Sequence, residues 1–205
     1  MLIGIDFDNT IVDYDEVFAA AAFAEGLLGP NVERSKPKIK AAILASEAGE
    51  DGWMRLQGRV YGAHMNQAKL FDGVEEFLIS AYQLGVKIAI VSHKTELGHF
   101  DSDRINLHDA AWSWMSAHNF FGETGLRIDP DRVFFEETRN KKIARISSIG
   151  CDHFIDDLLD VLTDKGFPTE TQAHHFIPGA EPDQTNSYRV HGSWADIFDL
   201  LLRDA

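Results

Sequence analysis

The feature that most constrains this chain is an apolar run that stops abruptly in acid: Leu2, Ile3 and Ile5 lead directly into Asp6-Phe7-Asp8-Asn9-Thr10. A short run of branched residues that ends in carboxylates reads as a buried parallel strand and the loop leaving it. In an open parallel sheet, ligands gather at the carboxyl ends of the strands, so Asp6 and Asp8 stand where chemistry is expected. Two acids separated by one residue can approach one cation, one by its side chain and the other by side chain or backbone carbonyl. Hard oxygen ligands of this kind suit magnesium. The same residues also suit a turn in which the carboxylates cap nearby amides. The rest of the chain has to decide between the two.

Two further strands end in the same manner. Val86 to Val91 is rich in branched residues and runs into Ser92-His93-Lys94-Thr95, and Phe154-Ile155 runs into Asp156-Asp157. Helical spacing connects them. Residues 15 to 69 form a helical block: a first helix carries Val17, Phe18, Ala21 and Ala22 and stops at Gly29-Pro30, a second follows Ser35, and a third carries Trp53, Leu56 and Val60. Asp72-Gly73 opens a helix that Gly85 closes, 107 to 121 reads as another, and 142 to 149 as a third with Ile143, Ile146 and Ile149 inward. Strands are expected at 133 to 135, 173 to 177 and 188 to 190, and Ser193 with Asp196 introduces a last helix as a capping box. Gly58 and Gly62 indicate close packing in the third helix, Lys36, Lys38 and Lys40 a solvated helix end, and the Trp and Phe residues of 107 to 121 a core face. His174 and His175, adjacent on a strand, point to opposite faces and cannot both serve one metal.

Composition excludes several classes of partner. A formal charge of −14 without a basic run argues against nucleic-acid binding, which depends on clustered Lys and Arg. No segment approaches the roughly 20 apolar residues of a membrane span, and the first apolar run is too short and too acidic for a secretory signal. With Cys151 as the sole cysteine there is no internal disulfide, which fits the reducing cytoplasm. Cys151 itself reads as a small core residue.

The ordered set Asp6-Phe7-Asp8-Asn9-Thr10, then Ser92, then Lys142, then Asp156-Asp157 resembles the four motifs of the haloacid dehalogenase superfamily. The resemblance implies an α/β, Rossmann-like parallel sheet formed by 1–14 and 70–205, with a small α-helical cap inserted at 15–69. It implies that Asp6 is a nucleophile that becomes an aspartyl phosphate, and that Asp8 is the general acid and base. Lys142, preferred over Lys141 by its phase and its distance from the Asp pair, would neutralise phosphoryl charge. Ser92, His93, Asn9 and Thr10 would contact the phosphate. Asp6, Asp8 and Asp157 would hold magnesium, with Asp156 behind them. Dehalogenating relatives lack an acid two residues after the nucleophile, whereas this chain has Asp8. The expected activity is therefore magnesium-dependent hydrolysis of a small phosphorylated metabolite. A phosphomutase on the same scaffold and a catalytically silent binding module are the alternatives.

Overall fold

A computed structural model describes residues 1–29, 33–98, 104–185 and 187–203; Pro30, expected to help end the first helix, lies outside them. In chain order the elements are β1 (Leu2–Ile5), β2 (Val12–Asp13), α1 (Asp15–Ala24), α2 (Lys36–Leu44), α3 (Gly49–Tyr61), β3 (Lys69–Leu70), α4 (Val74–Gln83), β4 (Lys87–His93), α5 (Leu107–Ala117), β5 (Val133–Glu136), α6 (Arg139–Ile149), β6 (His153–Asp156), α7 (Leu159–Leu162), β7 (Gln172–Phe176), β8 (Asp183–Gln184), β9 (Tyr188–His191) and α8 (Trp194–Leu201). They divide into two compact units, one made of Met1–Val12, Leu70–Lys94 and His118–Ala205, the other of Asp13–Lys69 and Thr95–Ala117.

The first unit is an α/β domain built on a sheet which, among the described residues, runs β5-β4-β1-β6-β7-β9-β8. Its strands are parallel except β8, which pairs antiparallel with β9 at the edge. From β1 the chain moves outward through β4 to β5, then returns to place β6 on the other side of β1. That reversal makes the carboxyl end of β1 the topological switch point, where a ligand crevice is expected. The central strands β1 and β4 are largely apolar on both faces, as expected where helices cover both. Ala89, Val91, Phe154 and Ala173 meet Ile143 and Ile146 of α6 and Val161 and Leu162 of α7. On the opposite face, Trp194 of α8 lies 5.0 Å from the Phe77 ring of α4 and 5.9 Å from Phe176 of β7.

Gly4 sits in the middle of β1 because no side chain fits there: a Cβ would come within 2.5 Å of Phe154 and 2.7 Å of the Cys151 sulfur. Cys151 is buried and its thiol is pushed up to about 12, chiefly by that burial, which makes it an inert core residue.

The second unit packs α1, α2, α3 and α5. Phe18 stacks on Trp53 at 5.1 Å and meets Tyr61 edge-on, and Trp114 donates its indole N–H to the Ala68 carbonyl at 3.0 Å. The two helical glycines do permit close packing, against Gly98 and the start of α5: the Gly58 Cα lies 2.7 Å from where a Cβ on Gly98 would stand, and Gly62 faces Leu107. Residues 95–117 thus share a unit with 13–69, although the sequence reading ended the helical segment at 69. Lys38 and Lys40 are exposed, as a solvated helix end requires. Lys36 instead turns inward, donating to the Tyr61 hydroxyl at 2.9 Å above the Phe18 ring. No helix among the described residues is long and apolar enough to cross a membrane.

The α8 face of the sheet carries an uncommon polar element. His153 of β6, His174 of β7 and His191 of β9 form a hydrogen-bonded chain, with Nδ1 of His153 3.0 Å from Nε2 of His174 and Nδ1 of His174 2.9 Å from Nε2 of His191. Each interior bond needs one N–H and one lone pair, so the chain is satisfied with all three rings neutral. Burial, reinforced by the two neighbouring rings, lowers His174 to about 3, and His153 and His191 are lowered as well, mainly by burial. A histidine depressed in the folded state binds more protons when unfolded, so its contribution to stability is complete above the unfolded value of 6.5 and is lost as pH falls below it. Denaturant unfolding should therefore report a loss on the order of 2 kcal/mol between pH 7 and pH 5 from His174 alone. A His174→Phe variant that showed the same change in stability as wild type across that interval would contradict this placement of the chain.

Candidate active site

The site is assembled where β1, β4 and β6 end and α6 begins, all within the first unit. The backbone N–H of Asp6 donates to the Ile155 carbonyl at 2.9 Å, carrying the β1–β6 pairing one residue past the strand and fixing Asp6 beside the Asp156-Asp157 pair. The chain then turns sharply. Asn9 adopts φ +63, its N–H bonds the Val12 carbonyl at 2.9 Å, and the N–H groups of Ile11 and Val12 both reach the Phe7 carbonyl at 3.1 Å. Asn is among the few residues that enter this left-handed region readily.

Lys142 comes from α6, which begins at Arg139, three residues before the sequence reading placed it. The Thr138 side chain caps that helix by accepting the Lys141 N–H at 3.2 Å. Helical geometry then sends the two adjacent lysines in different directions. Lys141 is exposed and pairs with Glu137 at 2.7 Å. Lys142 is 1% exposed, with its ammonium 2.5 Å from Asp6 Oδ1 and 2.6 Å from Asp156 Oδ2. Burial alone would push this lysine down, but the Asp156 and Asp6 carboxylates outweigh it and hold it above its ordinary value, so it stays charged. Asp6 is raised to about 7 because burial outweighs the attraction of Lys142, with Asp156 and Asp8 adding repulsion.

The carboxylates of Asp6, Asp156 and Asp157 offer oxygens that all lie within 4.8 Å of one another. This all-carboxylate set fits a hard divalent cation. Asp156, fully buried, directs one oxygen to Lys142 and the other to the Leu158 N–H at 2.9 Å, which leaves Asp6 and Asp157 as the principal donors. Asp157 is held from two sides. Its N–H donates to the Thr10 hydroxyl at 3.1 Å, and its carbonyl meets His175 Nε2 at 3.1 Å. Asp6, Asp8, Asp156 and Asp157 against Lys94 and Lys142 leave a formal charge of −2, which one divalent cation would offset.

Not every expected phosphate contact is placed for that task. Ser92 is buried at the carboxyl end of β4, next to β1, and Asn9 is half-buried in the loop. Thr10, in contrast, is wholly buried, and its hydroxyl is engaged in tying the first loop to Asp157. His93 points outward, with Nε2 3.1 Å from the Glu137 carbonyl, because strand alternation puts it opposite Ser92. The sequence reading gave no role to Lys94, which is 3% exposed and has its ammonium 2.8 Å from Asp8 Oδ2. The period of two that buries Ser92 also buries Lys94, and that was the available signal. His175 was rightly placed on the face opposite His174, but its contact with Asp157 had no sequence signature.

No family model matches the chain, and no curated protein matches it in sequence. Solved structures do. A HAD-family hydrolase from Deinococcus radiodurans R1 with bound phosphate and sodium aligns at a TM-score of 0.60 and 15% identity, over 98% of this chain and 94% of that one. A predicted phosphoglycolate phosphatase from Haemophilus somnus 129PT aligns at 0.52 and 16%, over 97% and 96%. The chain has the haloacid dehalogenase fold. CbbY from Rhodobacter sphaeroides, in complex with xylulose bisphosphate, aligns at 0.54 and 15% over 95% of each chain. At this identity the likeness is one of fold, and the four motif segments of this HAD-fold chain rest on the geometry above.

The elevated Asp6 makes cation binding measurable without substrate. A divalent cation bound through Asp6 must displace any proton held there, so binding near neutral pH should release protons. Calorimetric titration with magnesium in two buffers of different ionisation enthalpy reads this directly. Magnesium affinity and proton release both unchanged in Asp6→Asn would remove Asp6 from the ligand set.

Proposed function

We propose that this protein is a magnesium-dependent phosphomonoesterase that acts on a small phosphorylated metabolite through an aspartyl phosphate on Asp6. The observation that carries this reading is the buried Lys142 ammonium between Asp6 and Asp156, beside a carboxylate cluster able to hold a cation. Such a constellation suits transfer of a dianionic phosphoryl group, whose charge needs fixed cations and whose displacement is eased by division into two steps. Magnesium, held by Asp6, Asp157 and the Asp8 carbonyl, would supply electrophilic charge stabilisation at the phosphoryl oxygens.

This chain's residues then divide the work. An Asp6 oxygen forms the bond to phosphorus as the ester oxygen leaves, and Asp8 gives that oxygen a proton. In the second step Asp8 takes a proton from water, whose oxygen attacks phosphorus. The Asp6–phosphorus bond breaks, and inorganic phosphate departs. Lys142 and Ser92 hold the phosphoryl oxygens, with Asn9 alongside. The helical unit takes the part of a cap that selects among substrates. The reading places the protein in the cytoplasm.

Phosphate release from nitrophenyl phosphate and from a panel of phosphorylated metabolites should require magnesium, stop on chelation and disappear in freshly purified Asp6→Asn. Phosphate retained in an isomeric product would make the enzyme a mutase, and halide release with no phosphate release would make it a dehalogenase. Absence of any turnover would leave a binding module.

The two lysines provide a sharper comparison. Lys142→Ala should lower phosphatase turnover by on the order of 100-fold or more, since it removes a buried cation beside the reacting group, whereas Lys141→Ala loses only an exposed ion pair. The reverse pattern would transfer the role to Lys141.

A further inference from the structure

We propose that Lys94 is a positioning residue for Asp8, which keeps the Asp8 carboxylate out of the cation cluster and aimed for the proton transfer that hydrolyses the aspartyl phosphate. This rests on the phosphatase reading. Asp6 and Asp8 are two residues apart at the end of β1, yet the carboxylate cluster comprises Asp6, Asp156 and Asp157 without Asp8. The Lys94 ammonium accounts for the separation, since it lies astride the Asp8 carboxylate, 3.1 Å from Oδ1 and 2.8 Å from Oδ2. A carboxylate with both oxygens on one ammonium loses its freedom to rotate towards a second cation.

Lys94 is itself fixed. Its backbone N–H donates to the Glu136 carbonyl at 2.9 Å, which extends the β4–β5 pairing beyond His93, and its ammonium lies 5.8 Å from the centroid of the Phe7 ring. It is 3% exposed, so movement of Asp8 to a metal would take the carboxylate from a buried cation, an expensive change. Lys94 and Lys142 thereby sort neighbouring acids into different tasks. Lys142 holds Asp6 within the cluster, and Lys94 keeps Asp8 outside it.

Wild-type turnover is measured first, because absence of phosphate release in magnesium would overturn the phosphatase reading independently of Lys94. With an active wild type, rapid quench on nitrophenyl phosphate separates the two steps: formation of the phosphoenzyme needs little proton donation to this leaving group, whereas breakdown depends on Asp8. Lys94→Met should slow breakdown by at least about 10-fold more than formation, giving a burst of nitrophenolate and accumulated phosphoenzyme. Lys94→Gln, which keeps a donor at the buried position, should shift the same ratio by less. Methylammonium should restore breakdown in Lys94→Ala, and tetramethylammonium, which has no N–H to donate, should not. Magnesium alone, titrated calorimetrically, should bind Lys94→Met more tightly than wild type, and the gain should vanish when Asp8→Asn is added. Equal slowing of both steps, absence of amine rescue, or a gain in magnesium affinity that persists without the Asp8 carboxylate would each overturn the proposal.

Discussion

The structure of the site depends on one buried contact, the Lys142 ammonium held between Asp6 and Asp156. An isolated charge at this depth is unfavourable, and removal of either carboxylate would leave the lysine poorly compensated. Three segments distant in sequence must therefore finish in register: the end of β1, the end of β6 and the first turn of α6. The Asp6–Ile155 backbone bond joins the two strands, and the Thr138 cap fixes where the helix starts. A shift of one residue in α6 would either send Lys142 to the exposed position of Lys141 or drive its charge into the buried position of Ile143.

Much of this was legible in the sequence because strand ends write themselves plainly. An apolar run that ends in Asp6 or Asp156 gives both the strand and its polar terminus, and parallel order follows from the helices between strands. The choice of Lys142 over Lys141 was harder to read, since it turns on the Thr138 cap, which sets the helical phase. Thr10 shows a different limit. A hydroxyl beside two acids at a strand end reads as a phosphate contact, but its burial and its bond to the Asp157 N–H tie two loops together. Nothing in local sequence distinguishes those tasks. Lys94 could have been found, because it shares a strand face with Ser92, but its pairing with Asp8 depends on β4 lying next to β1.

The division of the chain was legible only in part for a related reason. Helical spacing marks 15–69 as helical, whereas the association of 95–117 with it comes from Gly58 against Gly98 and Gly62 against Leu107, contacts between residues 40 and 45 apart in sequence. The histidine chain across β6, β7 and β9 is similar, since its members are single residues on three strands whose adjacency is a property of the sheet order. Periodicity identifies faces. It does not identify which faces meet.

The central claim of the proposed function is that Asp6, one of the two acids paired with Lys142, carries the phosphoryl group. Acid quench during turnover of a phosphate ester, followed by borohydride reduction, converts an aspartyl phosphate to homoserine, and peptide mass spectrometry then locates the modified residue. The account predicts conversion at Asp6 and at no other aspartate. Conversion at Asp8 or Asp157, or steady phosphate release with no trapped aspartate at any quench time, would contradict it.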